Sequence, residues 1–365
     1  MLGNFFYSYV SLSLFIVGLL SILPKSNSFS LLELYSRFYV VWFFILIFGL
    51  RTINSGADTE AYRLFFEEYI YGDAGEFTDF GFLLFADFVS FFTSDSKVFI
   101  ISIFLVQLLL LFSSLKILRV SNISFFLITF VFLMPGFDMI SNTIRQGLSV
   151  SFVFLALSLY LRNLTKTSLF IILVAFSIHV SSAVYFLLFF LSSKFWIKVH
   201  KILLMIILIV FFMSNFFNAS VAEFLHSLGV PGVVGLVINK LYNYEAYNDG
   251  RLTGIYKLYF FLIYYVPVLI FLFHKEAKQK IIENKHVNAV ITFYLIVLFI
   301  YALISKGTFS FRLLYVIYPV LIYILIQLYL LKGQYYRFAF YCFVLLSGLL
   351  VLNASQMNYF TFGVD

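Results

Sequence analysis

The amino-acid sequence predicts an all-α protein that crosses a membrane many times. Hydrophobic residues make up 63% of the 365 residues, and charged residues only 11%. Uncharged apolar runs such as 202–217 and 313–331 reach or approach the roughly 20 residues that a helix needs to cross a bilayer. A soluble chain of this length could not cover so much apolar surface. We therefore expect a polytopic integral membrane protein, with a single transmembrane domain over residues 1–365.

Hydrophobic segments recur along the whole chain, and we expect about 11 of them. They lie at 5–23, 34–50, 98–118, 121–137, 145–161, 168–192, 199–218, 255–273, 287–306, 312–331 and 336–352. The first run has no convincing cleavage site and is interpreted as a retained span. The long polar stretches belong to two loops, 51–96 and 219–254, in which we expect amphipathic helices at the membrane interface.

Basic residues are distributed unequally between the two sides of the membrane. One alternating set of loops holds 15 basic and three acidic residues, a net charge of +12, and the other side has a net charge of −5. Because cytoplasmic loops carry the excess of Lys and Arg, the loops 51–96 and 219–254 are predicted to lie outside the cytoplasm. The overall charge of +7 follows from this topology, and no nucleic acid partner is implied.

The segment 168–192 is predicted to enter the membrane and return. Lys166 and Lys194 both belong to the basic side, which a single crossing would not allow. Two short helices with His179 at the turn restore the parity, although a misplaced span elsewhere would also do so. Non-helical backbone at that depth requires cover from protein or a wet cavity. His179 is thus either a structural histidine or a functional one.

Polar residues recur at helical spacing where the span 145–161 begins. Asn142, Arg145, Gln146 and Ser149 share one face, and Asp138 precedes them. A helix N-terminus and a guanidinium fork together suit a phosphate group. An arginine that extends to the interface from a span end would explain Arg145 alone. It does not explain the amides on the same face.

The first outer loop contains an amphipathic helix that begins near Asp58. Its aromatic face consists of Tyr62, Phe65, Phe66 and Tyr69. An interfacial helix explains the solvated acids on its other faces. It explains Arg51, at the end of a span, and Asp58, after a glycine-containing turn, less well.

Three arginines begin or end different spans at one predicted membrane level. They are Arg51, Arg145 and Arg312, the last with Tyr315 one turn further along its helix. If these spans touch, the three side chains would suit the head group of a pyrophosphate lipid.

The second outer loop contains aromatic residues beside amides and charges, including Tyr244 and Arg251. Such residues suit sugar rings, and an interfacial aromatic belt explains the tyrosines equally well. The only cysteine is Cys342, and the five histidines show no paired ligand spacing. We therefore predict no metal site and no cofactor.

These landmarks, in this order, resemble the EpsG-like branch of the Wzy-type polymerases of bacterial O-antigen, capsule and exopolysaccharide. The resemblance covers about residues 51–320 and is carried by an ordered set of motifs. They are Arg51, Gly56, Asp58 and Tyr62; Asp79, Gly81 and Phe82; Asn142, Arg145 and Gln146; His179 and Ser181; and Arg312 and Tyr315. Position 79 is Asp where the family commonly has Glu, which shortens the reach of the carboxylate.

The resemblance implies a glycosyltransferase that polymerises repeat units in the bacterial inner membrane, with its active site facing the periplasm. The growing glycan would move from undecaprenyl pyrophosphate to the non-reducing end of an incoming lipid-linked unit. Arg51, Arg145 and Arg312 would bind pyrophosphate, and Asp58 or His179 would act as base. Tyr62, Asp79, Asp138, Asn142, Gln146, Tyr244, Arg251 and Tyr315 would support these groups or contact sugars. Membrane lipid and a chain-length regulator are the further candidate partners.

Three alternatives remain open at this point. A glycosyltransferase that uses a polyprenyl-phosphate sugar fits the same topology. A flippase or transporter of lipid-linked oligosaccharides would be expected to show internal repeats and mid-membrane charges, and neither is found in the sequence. A membrane O-acyltransferase would depend on His179 and leave the outer arginines incidental.

Overall fold

The computed structural model describes residues 58–72, 79–120, 123–191, 195–214, 226–229, 254–303 and 312–330. All the regular elements in these ranges are helical, as predicted. The described residues divide into two compact units, one of 58–185 with 329–330 and one of 186–328. The predicted spans 5–23, 34–50 and 336–352 lie outside the described residues, as does nearly all of the loop 219–254. The prediction of a single domain remains a prediction.

The first unit is built from helices of very different lengths. They are α1 Thr59–Ile70, α2 Phe80–Ser90, α3 Ser96–Ile117, α4 Ile123–Phe132, α5 Met134–Ser141, α6 Ile144–Leu161, α7 Thr165–Ile178 and a 3-10 helix, Val180–Phe189, that begins in this unit. In the second unit, the described helices are α8 Phe195–Ser214, α9 Gly254–Phe273, α10 Lys275–Glu283, α11 Lys285–Leu303 and α12 Arg312–Leu330.

Among the described helices, four are long and apolar enough to cross a membrane. They are Ser96–Ile117, Ile144–Leu161, Lys285–Ala302 and Leu313–Leu330. Each coincides within a few residues with a predicted span. Shorter apolar helices such as Thr165–Ile178 accompany them. The membrane class is thus supported, while the count of about 11 segments remains a prediction.

The predicted span 121–137 is divided into two helices. The chain leaves helical geometry at Leu133, which has φ −71° and ψ 135°, and Pro135 then lies in the first turn of α5. A proline in a first turn costs no hydrogen bond, whereas the same residue inside a continuous helix would remove one. The break makes α5 a separate short helix directly before the start of α6.

The C-terminal ends of α3 and α6 meet at one end of the first unit. Each helix is followed by a left-handed residue, Arg119 with φ 57° and Asn163 with φ 63°. The Nε atom of Arg162 donates to the carbonyl oxygen of Ile117 at 2.9 Å. The basic loops predicted to face the cytoplasm therefore adjoin here. The start of α6 lies about 27 Å away along an 18-residue helix.

The aromatic face of α1 packs inside the protein. Tyr62, Phe65 and Phe66 are 6%, 2% and 0% exposed. The Phe66 ring stacks on Phe99 of α3 with centroids 4.3 Å apart, and Phe65 stacks on Phe82 of α2 at 5.5 Å. The predicted amphipathic character is confirmed, but protein rather than lipid covers this face. Because α1 and α2 share this core, their N-terminal ends are held against the rest of the unit.

Candidate functional site

The candidate site is centred on the start of α6. The sequence pattern placed Asn142 on the first turn of this helix, which is a misassignment. Asn142 ends the preceding helix with φ −122° and ψ −66°, and α6 begins only at Ile144. The N–H group of Asn142 donates to the Asp138 carbonyl oxygen at 2.8 Å. Its side chain therefore does not share a helical face with Arg145 and Gln146, and it points toward the start of α1.

Asn142 connects the start of α6 to the start of α1. Its Oδ1 atom accepts from the backbone N–H of Asp58 at 2.9 Å, and its Nδ2 atom donates to Asp138 Oδ1 at 3.3 Å. Asp58 occupies the N-cap position of α1, but its side chain makes no capping hydrogen bond. The Asn142 amide thus holds two of the predicted site residues, Asp58 and Asp138, beside the N-terminus of α6.

The next polar contact is an ion pair between Arg145 and Asp79. The Nη1 atom of Arg145 lies 2.6 Å from Asp79 Oδ2, and both side chains are 23% exposed. The Arg145 guanidinium carbon also lies 6.0 Å from the centre of the Phe82 ring. Asp79 precedes α2, and Arg145 lies in the first turn of α6. Residues far apart in the sequence are therefore brought together at a partly accessible position.

Close backbone packing fixes the position of Arg145. A Cβ atom on Gly147 would overlap the carbonyl oxygen of Met139 and lie 2.8 Å from its carbonyl carbon. The Nε2 atom of Gln107 on α3 donates to the Ile144 carbonyl oxygen at 3.0 Å. Because α5 touches the backbone of α6 and α3 holds its first residue, the first turn of α6 has little freedom.

The helical geometry is interrupted at His179, as predicted. α7 ends at Ile178, His179 is extended with φ −157° and ψ 125°, and a 3-10 helix continues over Val180–Phe189. Each of the two pieces is about 20 Å long, shorter than the hydrocarbon core of a bilayer. The return of the chain to the same side of the membrane remains a prediction.

The broken segment packs against the polar face of α6. Ser149, one turn beyond Arg145, is fully buried. Its hydroxyl donates to the Ala175 carbonyl oxygen at 2.8 Å and forms a short hydrogen bond with the hydroxyl of Ser182. The end of α7 also meets the start of α2, because a Cβ on Gly81 would lie 2.8 Å from the Ser177 carbonyl carbon. The break and the ion pair therefore border the same region.

The hydrogen bonds of His179 determine which ring nitrogen carries its proton. Its Nδ1 atom accepts the backbone N–H of Ser181 at 3.3 Å and lies 2.7 Å from the Ser181 hydroxyl. Since a backbone N–H can only donate, Nδ1 is an acceptor, and a neutral ring carries its proton on Nε2. In this arrangement the basic lone pair of His179 Nδ1 is already engaged by Ser181.

Residues 34–362 match the family model described as the EpsG family. The chain belongs to the EpsG family. The resemblance found in the sequence is thereby confirmed. No curated protein and no solved structure matches the chain.

Membership in the EpsG family supports a polymerase-like role in polysaccharide biosynthesis. The matched region includes the ion pair, the Asn142 contacts and the break at His179. Within the described part of the chain, no group of three or more His, Cys, Asp or Glu residues is placed to hold a metal ion.

The remaining predicted site residues of this EpsG-family chain lie in several places. Tyr62 belongs to the aromatic core, and Gln146 is buried at 8% exposure in the first turn of α6. Tyr315 is buried in α12, a helix that begins at Arg312 in the second unit. Arg51, Tyr244 and Arg251 lie outside the described residues. The structure thus brings together the first-unit residues Asp58, Asp79, Asp138, Asn142 and Arg145.

Sequence reasoning missed two residues that position this site. Gln107 is a lone amide in an otherwise apolar span, and such an intramembrane polar residue is itself a signal. Gly147 is an isolated glycine in a helix, which indicates a close packing contact. The partner of Asp79 had no comparable signal, because linear spacing does not reveal which helices touch.

We expect Asn142→Leu to reduce chain extension strongly and to destabilise the first unit. The substitution leaves the partly buried backbone N–H of Asp58 without its acceptor, a loss of about 1–3 kcal/mol. Thermal unfolding of the purified protein and the length of the polysaccharide made in cells measure the two effects. Thr143→Ala is the neighbouring control, since its hydroxyl makes only a 3.4 Å contact with the Asp138 carbonyl oxygen. Equal losses in both variants would contradict the assigned role of Asn142.

Proposed function

We propose that this EpsG-family protein polymerises oligosaccharide repeat units linked to undecaprenyl pyrophosphate on the periplasmic side of a bacterial inner membrane. The growing glycan is transferred from its lipid carrier to the non-reducing end of an incoming unit. The observation that carries the proposal is the position of Arg145, which lies in the first turn of an apolar helix beside Asp79, within a chain matched by the EpsG family.

The chemistry of glycosyl transfer explains why this arrangement is suitable. Transfer at an anomeric carbon passes through an oxocarbenium-like state, while negative charge builds on the departing pyrophosphate. A positioned guanidinium stabilises that charge, and the positive end of the α6 dipole adds to it. The close contacts of α6 with Met139 and Gln107 support a fixed position for the cation. Arg51 and Arg312 remain sequence-based candidates for the same role.

The acceptor hydroxyl requires a general base, and we assign this role to Asp58. The Asn142 amide anchors its backbone, and its carboxylate does not cap its own helix. The acceptor proton passes to this carboxylate as the hydroxyl oxygen forms the new glycosidic bond. His179 is less suited than Asp58 to act as the base, because Ser181 occupies the lone pair on its Nδ1 atom.

Lipid analysis of a deletion strain tests the proposed reaction. Loss of a polymerase leaves surface polysaccharide stalled at one repeat unit, whereas loss of a flippase traps repeat units on the cytoplasmic side. Loss of an O-acyltransferase leaves chain length unchanged and removes acyl groups. Activity that survives EDTA favours the polymerase over a cation-dependent enzyme that uses polyprenyl-phosphate sugars.

We expect Arg312→Ala to abolish chain extension while the protein still inserts. Arg312 is the first residue of α12, Arg145 lies in the first turn of α6, and the proposal assigns both to the carrier's pyrophosphate. Polysaccharide length and membrane abundance, measured on the same cells, separate catalysis from insertion. Normal chain length in Arg312→Ala would remove this arginine from the site.

A further inference from the structure

Asp79 occupies a helix-capping position without capping. It precedes α2 with φ −73° and ψ 107°, the extended backbone geometry usual for an N-cap residue. Its main-chain oxygen accepts from the N–H groups of Phe82 and Leu83 at 3.0 and 3.1 Å. Its carboxylate, however, forms no capping hydrogen bond and pairs with Arg145 instead.

The Asp79 carboxylate binds the guanidinium group that the proposed function assigns to a phosphate. Carboxylate and phosphate oxygens are both acceptors for the guanidinium fork, and a ligand that binds Nη1 of Arg145 must share it with Asp79 or displace it. Both partners are 23% exposed, so a ligand can reach the pair. The Phe82 ring, with its centre 6.0 Å from the guanidinium carbon, supports Arg145 from another direction.

We propose that Asp79 is a placeholder for the donor's phosphate: its carboxylate holds Arg145 before the pyrophosphate binds and is then displaced to the N-terminus of α2. This inference rests on the function proposed above and assigns Asp79 a positioning role. The first turn of α2 presents backbone N–H donors that suit a carboxylate at this position. One side-chain rotation therefore exchanges one charge-assisted interaction for another.

Competition from the Asp79 carboxylate lowers the affinity of every anion for Arg145 by the same factor. Phospholipid head groups are abundant and bind a single arginine weakly, so this factor keeps them from occupying the site. A pyrophosphate with further contacts to the protein still displaces Asp79. The ion pair also keeps the Arg145 side chain oriented before a phosphate binds.

The test measures farnesyl pyrophosphate binding to the purified full-length protein in phosphatidylcholine nanodiscs, with farnesol as the phosphate-free control. We expect Asp79→Asn to tighten binding about five- to tenfold, because the competing charge is removed. A merely structural ion pair predicts the opposite sign, since its loss would misplace Arg145 and weaken binding. Weaker or unchanged binding therefore overturns the proposal.

Three further variants sharpen this comparison. Asp79→Ser removes the charge and retains a good N-cap residue, so it replaces Asp79→Asn if that variant fails to fold. Glu67→Gln breaks the 3.2 Å pair with Arg63 on α1, a partly exposed ion pair like that of Asp79, and should leave binding unchanged. In an Arg145→Ala background, Asp79→Asn should have no effect on binding. If Asp79→Asn still tightened farnesyl pyrophosphate binding in that background, the proposal would be overturned.

Kinetics separate this inference from the proposed function. With a lipid-linked substrate, Asp79→Asn should lower KM and should not raise kcat. A structural role for Asp79 predicts a raised KM. If the protein does not extend glycans but Asp79→Asn still tightens pyrophosphate binding through Arg145, the placeholder stands and the proposed function fails. If glycans are extended and the variant binds more weakly, the placeholder fails alone.

Discussion

Replacing Arg145 with alanine is expected to abolish chain extension while the protein continues to insert into the membrane. Loss of a donor that stabilises transition-state charge costs about 100- to 1,000-fold in rate. The cost in stability should be small, about 1 kcal/mol or less, because Arg145 and Asp79 are both partly exposed. Polysaccharide length, normalised to the amount of protein in the membrane, measures the effect.

Lysine at position 145 should rescue poorly. A lysine restores the charge but presents a single ammonium group in place of the guanidinium fork. Arg63→Ala is a matched control, since Arg63 is 26% exposed, lies in the same unit and pairs with Glu67 at 3.2 Å. Chain extension should persist in that variant. Full activity of Arg145→Lys would show that charge alone is required, and full activity of Arg145→Ala would contradict the proposed site.

Replacing Gly147 with alanine is expected to cause a second large loss, by a different route. The added methyl group would overlap the Met139 carbonyl oxygen and lie 3.0 Å from Gln107 Nε2. Backbone atoms cannot rotate away, so α5 and α6 must separate, and such overpacking costs about 1–3 kcal/mol. The same movement shifts the first turn of α6, which contains Arg145. Both the unfolding temperature and chain extension should fall.

Two comparisons identify the cause of that loss. Ser158→Ala, further along α6, removes a 2.8 Å hydrogen bond to the Phe154 carbonyl oxygen without adding volume, and should have little effect. Adding Gln107→Ala to Gly147→Ala should restore neither the unfolding temperature nor chain extension, because the overlap with the Met139 backbone remains. Wild-type stability in Gly147→Ala would mean that α5 and α6 pack less closely than described.

Much of the fold was predictable because it depends on local properties of the chain. The apolar runs 98–118 and 145–161 predicted the helices Ser96–Ile117 and Ile144–Leu161 within two residues at each end. The break at His179 followed from charge parity between Lys166 and Lys194, and the structure places a non-helical residue there. The aromatic face of α1 followed from helical periodicity, although its partner is protein.

The candidate site was predictable only as a set of residue types. The sequence pattern selected Asp58, Asp79, Asn142 and Arg145, but it placed Asn142 inside a helix and gave Asp79 no partner. The helical pattern cannot distinguish a residue in the first turn of α6 from one in the preceding linker. Pro135 and the linker at Asn142 and Thr143 change the direction of the chain in ways that periodicity does not register.

The amino-acid sequence by itself determined the membrane class, the long helices and the EpsG-family motifs. These features depend on hydrophobicity and spacing along one chain segment, which are properties of the linear polymer. The tertiary structure alone decided that Asp79 pairs with Arg145, that Asn142 holds the backbone of Asp58, and that Ser149 meets Ser182. Such contacts form between segments distant in sequence, and only the packing of α1, α2, α3, α6 and α7 around one hydrophobic core brings them within hydrogen-bond distance.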